Sequence, residues 1–185
     1  VVAVTLKKKL GYTEFDDKAA SHKYREKDGR TALISRTASM ISGKGMILTN
    51  SAGNTGAAEW KRIGFPGDAH DVLTVGALAP DSTNTTFSSV GPTYDGRVKP
   101  DVMAMGGYCT VINGKGLVAH ANGTSFSTPI TCGLVACLWQ ALPNKTASEI
   151  MQLVRESADR ADYPDNIFGY GIPDFWKAYQ MGLNK

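Results

Sequence analysis

The stretch Ala121-Asn-Gly-Thr-Ser-Phe-Ser-Thr-Pro-Ile-Thr-Cys-Gly133 decides how the rest of the chain is read. One serine, Ser125, stands among small and hydroxyl-bearing residues, and an apolar run follows it. The pattern predicts a long apolar helix over residues 125–142, with Pro129 in its first turn, where a missing N–H costs nothing. A serine at a helix start lies beside unpaired backbone N–H groups and near the positive end of the helix dipole. That field stabilises negative charge developing next to the hydroxyl. Gly123 permits close approach by another backbone, and the small neighbours keep the hydroxyl accessible. The plainer reading is that Ser125, or a neighbour, only caps the helix. The stretch is not an esterase-type nucleophile elbow, because Ser127 stands where G-x-S-x-G requires its second glycine.

Working outward, residues 1–6 read as a strand and residues 10–30 as a polar loop. From Thr31 a helical period begins. Leu33, Thr37, Met40 and Ile41 fall on one face, and Gly43 stands where a C-terminal cap belongs. Residues 46–49 and 72–77 are short continuous apolar runs, as in strands buried on both faces, and residues 50–56 form a turn between them. Helix followed by apolar strand argues for a parallel sheet covered by helices. Residues 80–100 are loop-like, and 102–104 and 116–119 read as short strands. Thr146-Ala-Ser-Glu149 is a capping box ahead of Ile150, Leu153 and Val154. A last short helix runs from Pro173-Asp174 through Tyr179.

The bulk composition excludes several classes. With 185 residues, 42% of them hydrophobic and 20% charged, the chain fits one soluble domain with a real core. A net charge of +3 gives no argument for nucleic acid, and Lys7-Lys8-Lys9 reads as a solvated edge. No apolar run approaches the ~18 residues of a membrane span. The three cysteines show no zinc-ligand spacing, and Cys132 and Cys137 read as small core residues. The abrupt strand-like start suggests a piece of a larger domain, so the lack of a visible signal peptide says little about compartment.

The stretch 121–129 resembles the nucleophile motif of the subtilisin-like serine proteases, the subtilases: Gly-Thr-Ser, two variable residues, then Pro. Further stretches resemble the same family in the same order. Asn50-Ser-Ala-Gly-Asn-Thr-Gly56 looks like its oxyanion segment, and Val72-Leu-Thr-Val-Gly-Ala77 like the strand after it. Phe87-Ser-Ser-Val-Gly-Pro92 and Lys99-Pro-Asp-Val-Met-Ala104 look like the approach to the nucleophile, and Gly169-Tyr-Gly-Ile-Pro-Asp174 like the family's ending.

The resemblance implies a three-layer α/β/α fold with a mostly parallel sheet, present here as roughly the C-terminal half of the catalytic domain. It implies Ser125 as nucleophile and Asn54 as side-chain donor to the oxyanion. Read from its own turn, Asn54 is an ordinary residue for a positive-φ position. Substrate would be a polypeptide lying extended along Leu10, Gly11, Ser51, Ala52 and Gly53, with Gly123 and Thr124 close to the scissile bond. Phe65-Pro66 falls where the family often has a cis bond. The family is largely secreted or periplasmic. Calcium is common in it, but no ligand set can be matched here, so no metal or other cofactor is expected.

The family's triad runs Asp, His, Ser, and its Asp and His motifs lie N-terminal to everything matched here. His22 and His70 read as solvated loop residues. His120, five residues before Ser125, is a weak candidate for a surrogate base. The expected partner is therefore the missing N-terminal half, with self-association through open sheet edges as a further expectation. Without a base, Ser125 is a weak nucleophile. One alternative is a non-catalytic peptide-binding module, a pseudoprotease. A lipase-type hydrolase fails on chain order, since no histidine follows residue 120. The sequons at Asn84, Asn122 and Asn144 read as chance matches, in keeping with a bacterial source.

Overall fold

Strand β3 (Val72–Leu78) is buried along all seven residues, as its unbroken apolar run requires. It is an inner strand of the computed structural model, which describes residues 2–4 and 22–184. Four parallel strands lie in the order β1 (Val2–Val4), β2 (Leu48–Ser51), β3 and β4 (Val102–Met105). The register pairs Leu48 with Val72 and Val75 with Val102. Successive side chains of a strand face opposite sides, and both sides are covered. Ile47, Leu73, Val75 and Val102 meet Val135 and Leu138 of α2 (Thr124–Ala141), with Ile150 and Val154 of α3 (Ala147–Ser157) and Ala178 of α4 (Phe175–Leu183) behind. On the other side, Leu48 and Val72 meet Ala38 of α1 (Leu33–Ser42). The result is the expected three-layer α/β arrangement around a parallel sheet.

Several boundaries differ from expectation. α1 turns Ala32, Ser35, Ala38 and Ser42 inward and leaves Leu33 and Met40 about 70% exposed. Small residues let the helix axis approach the sheet, so the large apolar side chains are on the outer face. Gly43 ends this helix in ordinary right-handed backbone, and the left-handed residue is Gly45, at φ 84°. The strand expected at 46–49 is shifted, since β2 takes in Asn50 and Ser51. The 116–119 strand is one arm of an antiparallel hairpin, β5 (Cys109–Ile112) with β6 (Val118–Ala121). Pro129 is the sixth residue of α2, not a first-turn residue, so the Ser125 carbonyl four residues earlier receives no helical N–H from it. Cys137 is exposed and Cys132 half-buried, against the expected core placement.

The Thr146 capping box forms as read. The Thr146 backbone N–H donates to Glu149 Oε2 at 2.7 Å, and the Glu149 N–H to Thr146 Oγ1 at 3.3 Å. Phe65-Pro66 is cis, and so are Gly91-Pro92 and Lys99-Pro100. On the outer side of β4, the Met103 N–H donates to the Gly171 carbonyl at 2.9 Å, so the segment after α3 covers that edge. At the other edge, among the described residues, β1 pairs with β2 alone.

Candidate active site

Three segments converge where β2 and β4 end. In parallel sheets the carboxyl ends of the strands are where ligands bind. β2 runs out into Ala52-Gly53-Asn54. β4 leads to Gly106, whose carbonyl accepts the Gly123 N–H at 2.8 Å. β6 leads through Asn122 and Gly123 into the first turn of α2.

Gly123, at the N-terminus of α2, has no side chain to cap it, so the helix borrows a cap from across the cleft. Asn54 Oδ1 accepts hydrogen bonds from the Thr124 N–H and from Thr124 Oγ1, both at 2.9 Å. Thr124 Oγ1 in turn accepts the Gly53 N–H at 3.2 Å. With Oδ1 committed to two donors, the Asn54 NH₂ group is turned toward Gly123. A Cβ built on Gly123 would lie 3.3 Å from Asn54 Nδ2 and 3.7 Å from the Ser125 backbone nitrogen. Glycine at φ 154° leaves that space open, in a region of backbone conformation that side chains rarely enter.

Ser125 is the second residue of α2 and half-buried. Its neighbours' hydroxyls are spent inside the helix: Ser127 Oγ and Thr128 Oγ1 donate to the Thr124 carbonyl at 3.0 and 2.8 Å. Among the described residues the Ser125 hydroxyl has no hydrogen-bond partner, and no acidic residue stands in the first turn of α2. The local field therefore comes from backbone N–H groups and one carboxamide, all favouring an anion.

The other residues singled out in the sequence divide clearly. Ala52 is fully buried, Ser51 and Gly53 are half-buried beside Asn54, and Gly53 has φ 110°. Leu10 and Gly11 lie outside the described residues. His120 is on the exposed face of the hairpin, stacked on Tyr108 at 4.0 Å between ring centroids. His22 is half-buried rather than solvated, 2.6 Å from Glu26 Oε2 and tilted against Phe65. His70 Nε2 lies 3.6 Å from Asp95 Oδ2. Two participants were not legible as such. Thr124 was read as a residue close to the scissile bond and not as the partner of Asn54, and Ser89 only as part of a matched stretch; the available signal for each was a hydroxyl beside a glycine-rich turn.

Behind the site, β3 and β4 are tied to α3 by a buried charged cluster. Lys99 Nζ donates to Asp101 Oδ2 at 2.6 Å, to the Val72 carbonyl at 2.9 Å and to Thr74 Oγ1 at 3.1 Å. Arg155 Nε donates to Asp101 Oδ1 at 2.9 Å. Burial alone would raise the Asp101 pKa, but Arg155 and Lys99 outweigh it and hold the carboxyl below its ordinary range. Burial pulls the Lys99 ammonium down, opposed by Asp101. Three acceptors for its three protons argue that it stays charged at neutral pH.

The chain belongs to the Subtilase family, whose model matches residues 12–171. It is 33% identical over 149 residues to the serine protease AprX of Bacillus subtilis, covering 69% of this chain and 34% of that protein. Among solved structures, the self-cleaved protease domain of PatA superposes with a TM-score of 0.66 at 24% identity, covering 80% of this chain and 54% of that one. The prenylagaramide maturation protease PagA gives 0.66 at 22% identity, covering 81% and 55%. The chain thus spans about a third of AprX and just over half of each of the two solved chains. The fold and family are those of a serine protease. Among the described residues no helix is long and apolar enough to cross a membrane.

Proposed function

We propose that this chain carries the nucleophile and the oxyanion donors of a peptide-cleaving subtilase. The observation that carries the reading is the convergence of Asn54 Nδ2 and the Ser125 N–H on the space beside Gly123, next to a Ser125 hydroxyl with no hydrogen-bond partner among the described residues. Ser125 Oγ attacks the carbonyl carbon of an extended peptide, forming the C–O bond as the C=O electron pair moves to oxygen. That oxygen becomes the oxyanion in the Gly123 space, held by the two donors. Collapse expels the amine and leaves an acyl-serine, which water then hydrolyses.

Two proton transfers need a base and its orienter. The described histidines are engaged elsewhere, His22 with Glu26, His70 with Asp95 and His120 with Tyr108, so the reading takes both groups from the N-terminal part of the domain, outside these 185 residues. The outer face of α2 supports such a partner. Ile130 and Leu134 are 45% and 43% exposed, and Gly133 and Cys137 on the same face are exposed too. The edge of β1 that has no strand partner among the described residues offers a second contact, and where the N-terminal part is missing both surfaces favour self-association. Secretion is part of the same reading. No calcium ligand set is assigned; among the described residues no three or more His, Cys, Asp or Glu side chains are grouped.

The engagement of every described histidine with a residue other than Ser125 favours a second reading for the 185 residues alone: a groove that binds peptide without cutting it. A serine-directed fluorophosphonate separates the two, applied to this chain and to the full-length protein. Labelling of Ser125 in the full-length protein, lost in Ser125→Ala, with negligible labelling of the 185 residues, is the expected result. A folded full-length protein that resists labelling leaves the binding-module reading. Robust labelling of the 185 residues would show that the base is inside this chain.

A further inference from the structure

We propose that Ser89 is a positioning residue that clamps the turn carrying Asn54 and so fixes the direction of its carboxamide. The inference rests on the reading of Asn54 as an oxyanion donor. Asn54 itself is exposed, and its side chain is anchored through Oδ1 to Thr124. Ser89 is fully buried and bonds to the residue on each side of Asn54. Its N–H donates to the Gly53 carbonyl at 2.9 Å. Its Oγ accepts the Thr55 N–H at 3.0 Å and is hydrogen-bonded to Thr55 Oγ1 at 2.9 Å. A Cβ on Gly53 would come within 2.9 Å of Ser89 Oγ, so the glycine is what lets the clamp close.

Ser89 is itself held by the buried strand. The adjacent Ser88 Oγ accepts the Ala77 N–H of β3 at 3.0 Å, and Thr85 Oγ1 donates to the Ala77 carbonyl at 2.9 Å. The Gly56 N–H donates to the Phe87 carbonyl at 2.8 Å. A rigid path therefore runs from β3 through the 85–89 loop to the two peptide groups flanking Asn54. Stabilising a transition-state charge needs donors aimed before the charge forms, and a 1 Å misplacement can cost about 10²-fold in rate. An exposed asparagine on a glycine-rich turn meets that demand only if its backbone cannot swing.

The test pairs Ser89→Ala with Thr85→Val, which cuts a hydroxyl bond in the same loop without touching the turn. The readout is the Asn54 side-chain amide pair in ¹H–¹⁵N spectra of this chain, assigned with Asn54→Ser. Ser89→Ala is expected to shift and broaden that pair and the Thr55 amide, while Thr85→Val lowers the melting temperature and leaves both in place. An unmoved Asn54 pair in Ser89→Ala, or an equal response to Thr85→Val, overturns the proposal. In the full-length protein, Ser89→Ala is expected to lower kcat about 10-fold with KM nearly unchanged. Adding it to Asn54→Ala should cost nothing more, because it acts through Asn54; additive losses overturn it. Full activity in Asn54→Ala alone sinks the oxyanion reading instead, and the spectra still decide whether Ser89 clamps the turn.

Discussion

Asn54 caps a helix that begins seventy residues later: its Oδ1 takes both the N–H and the hydroxyl of Thr124, each at 2.9 Å. This fixes the amide orientation, because an oxygen bonded to two donors cannot trade places with its NH₂ group. Thr124→Val keeps shape and the backbone donor but removes the hydroxyl that also accepts the Gly53 N–H. The expected outcome in the full-length protein is a kcat loss of about 10-fold with KM little changed. That is a fraction of the roughly 10²–10³-fold that deleting such a donor costs in subtilisin. Steady-state kinetics on a peptide substrate checks it; a change confined to KM would place Thr124 in ground-state binding.

Gly123→Ala makes a different prediction. The new methyl would occupy the space on which Asn54 Nδ2 and the Ser125 N–H converge, on a backbone at φ 154°. Strain of this kind costs on the order of 1–3 kcal/mol. The full-length protein should melt lower and lose fluorophosphonate labelling of Ser125 even where the fold survives. A variant that melts lower yet labels at the full rate would mean that the oxyanion lies elsewhere.

How much of this was readable beforehand depended on whether a local signal carried the structure. The unbroken run of β3, the Thr146 box and the Gly-Thr-Ser start of α2 are local, and each formed near its expected place. α1 misled because amphipathic reading assumes large apolar residues face inward, whereas Ser35, Ala38 and Ser42 do so here. The pairing of β5 with β6 escaped although Asn113-Gly114 is a strong turn signal, because outward positions of the arms are apolar, Ile112 and Val118 among them, and blur the alternation in the sequence. The Asn54–Thr124 cap and the Ser89 clamp join residues 34 to 70 positions apart, which no spacing rule reaches.

The Thr146 box gives a stability check away from the site. Thr146→Ala removes the oxygen that accepts the Glu149 N–H and also frees Glu149 from the Thr146 hydroxyl at 2.7 Å. Loss of an N-cap costs about 1 kcal/mol. The melting temperature should fall by a few degrees with Ser125 labelling in the full-length protein unchanged. A fall in labelling without a fall in melting temperature would tie α3 to the site directly.

The Asp101 cluster predicts an acid limb with a definite sign. The Asp101 carboxyl titrates below its ordinary 3.8 in the folded chain, since Arg155 and Lys99 overcome the opposing effect of burial. A group depressed in this way adds stability above its unfolded pKa and loses it as pH falls through the folded value. Asp101→Asn leaves Lys99 buried at 3% exposure without its counter-charge. Removing one partner of a buried pair costs about 3–5 kcal/mol. Urea unfolding should show that loss at pH 6–7 and a gap to the parent chain that narrows as pH drops below about 4. Arg155→Met, which removes the more exposed partner, should cost less at neutral pH and shift the parent's acid limb upward, because Asp101 keeps only Lys99. A gap that stays constant down to pH 2 would mean that the carboxylate contributes through shape and not through charge.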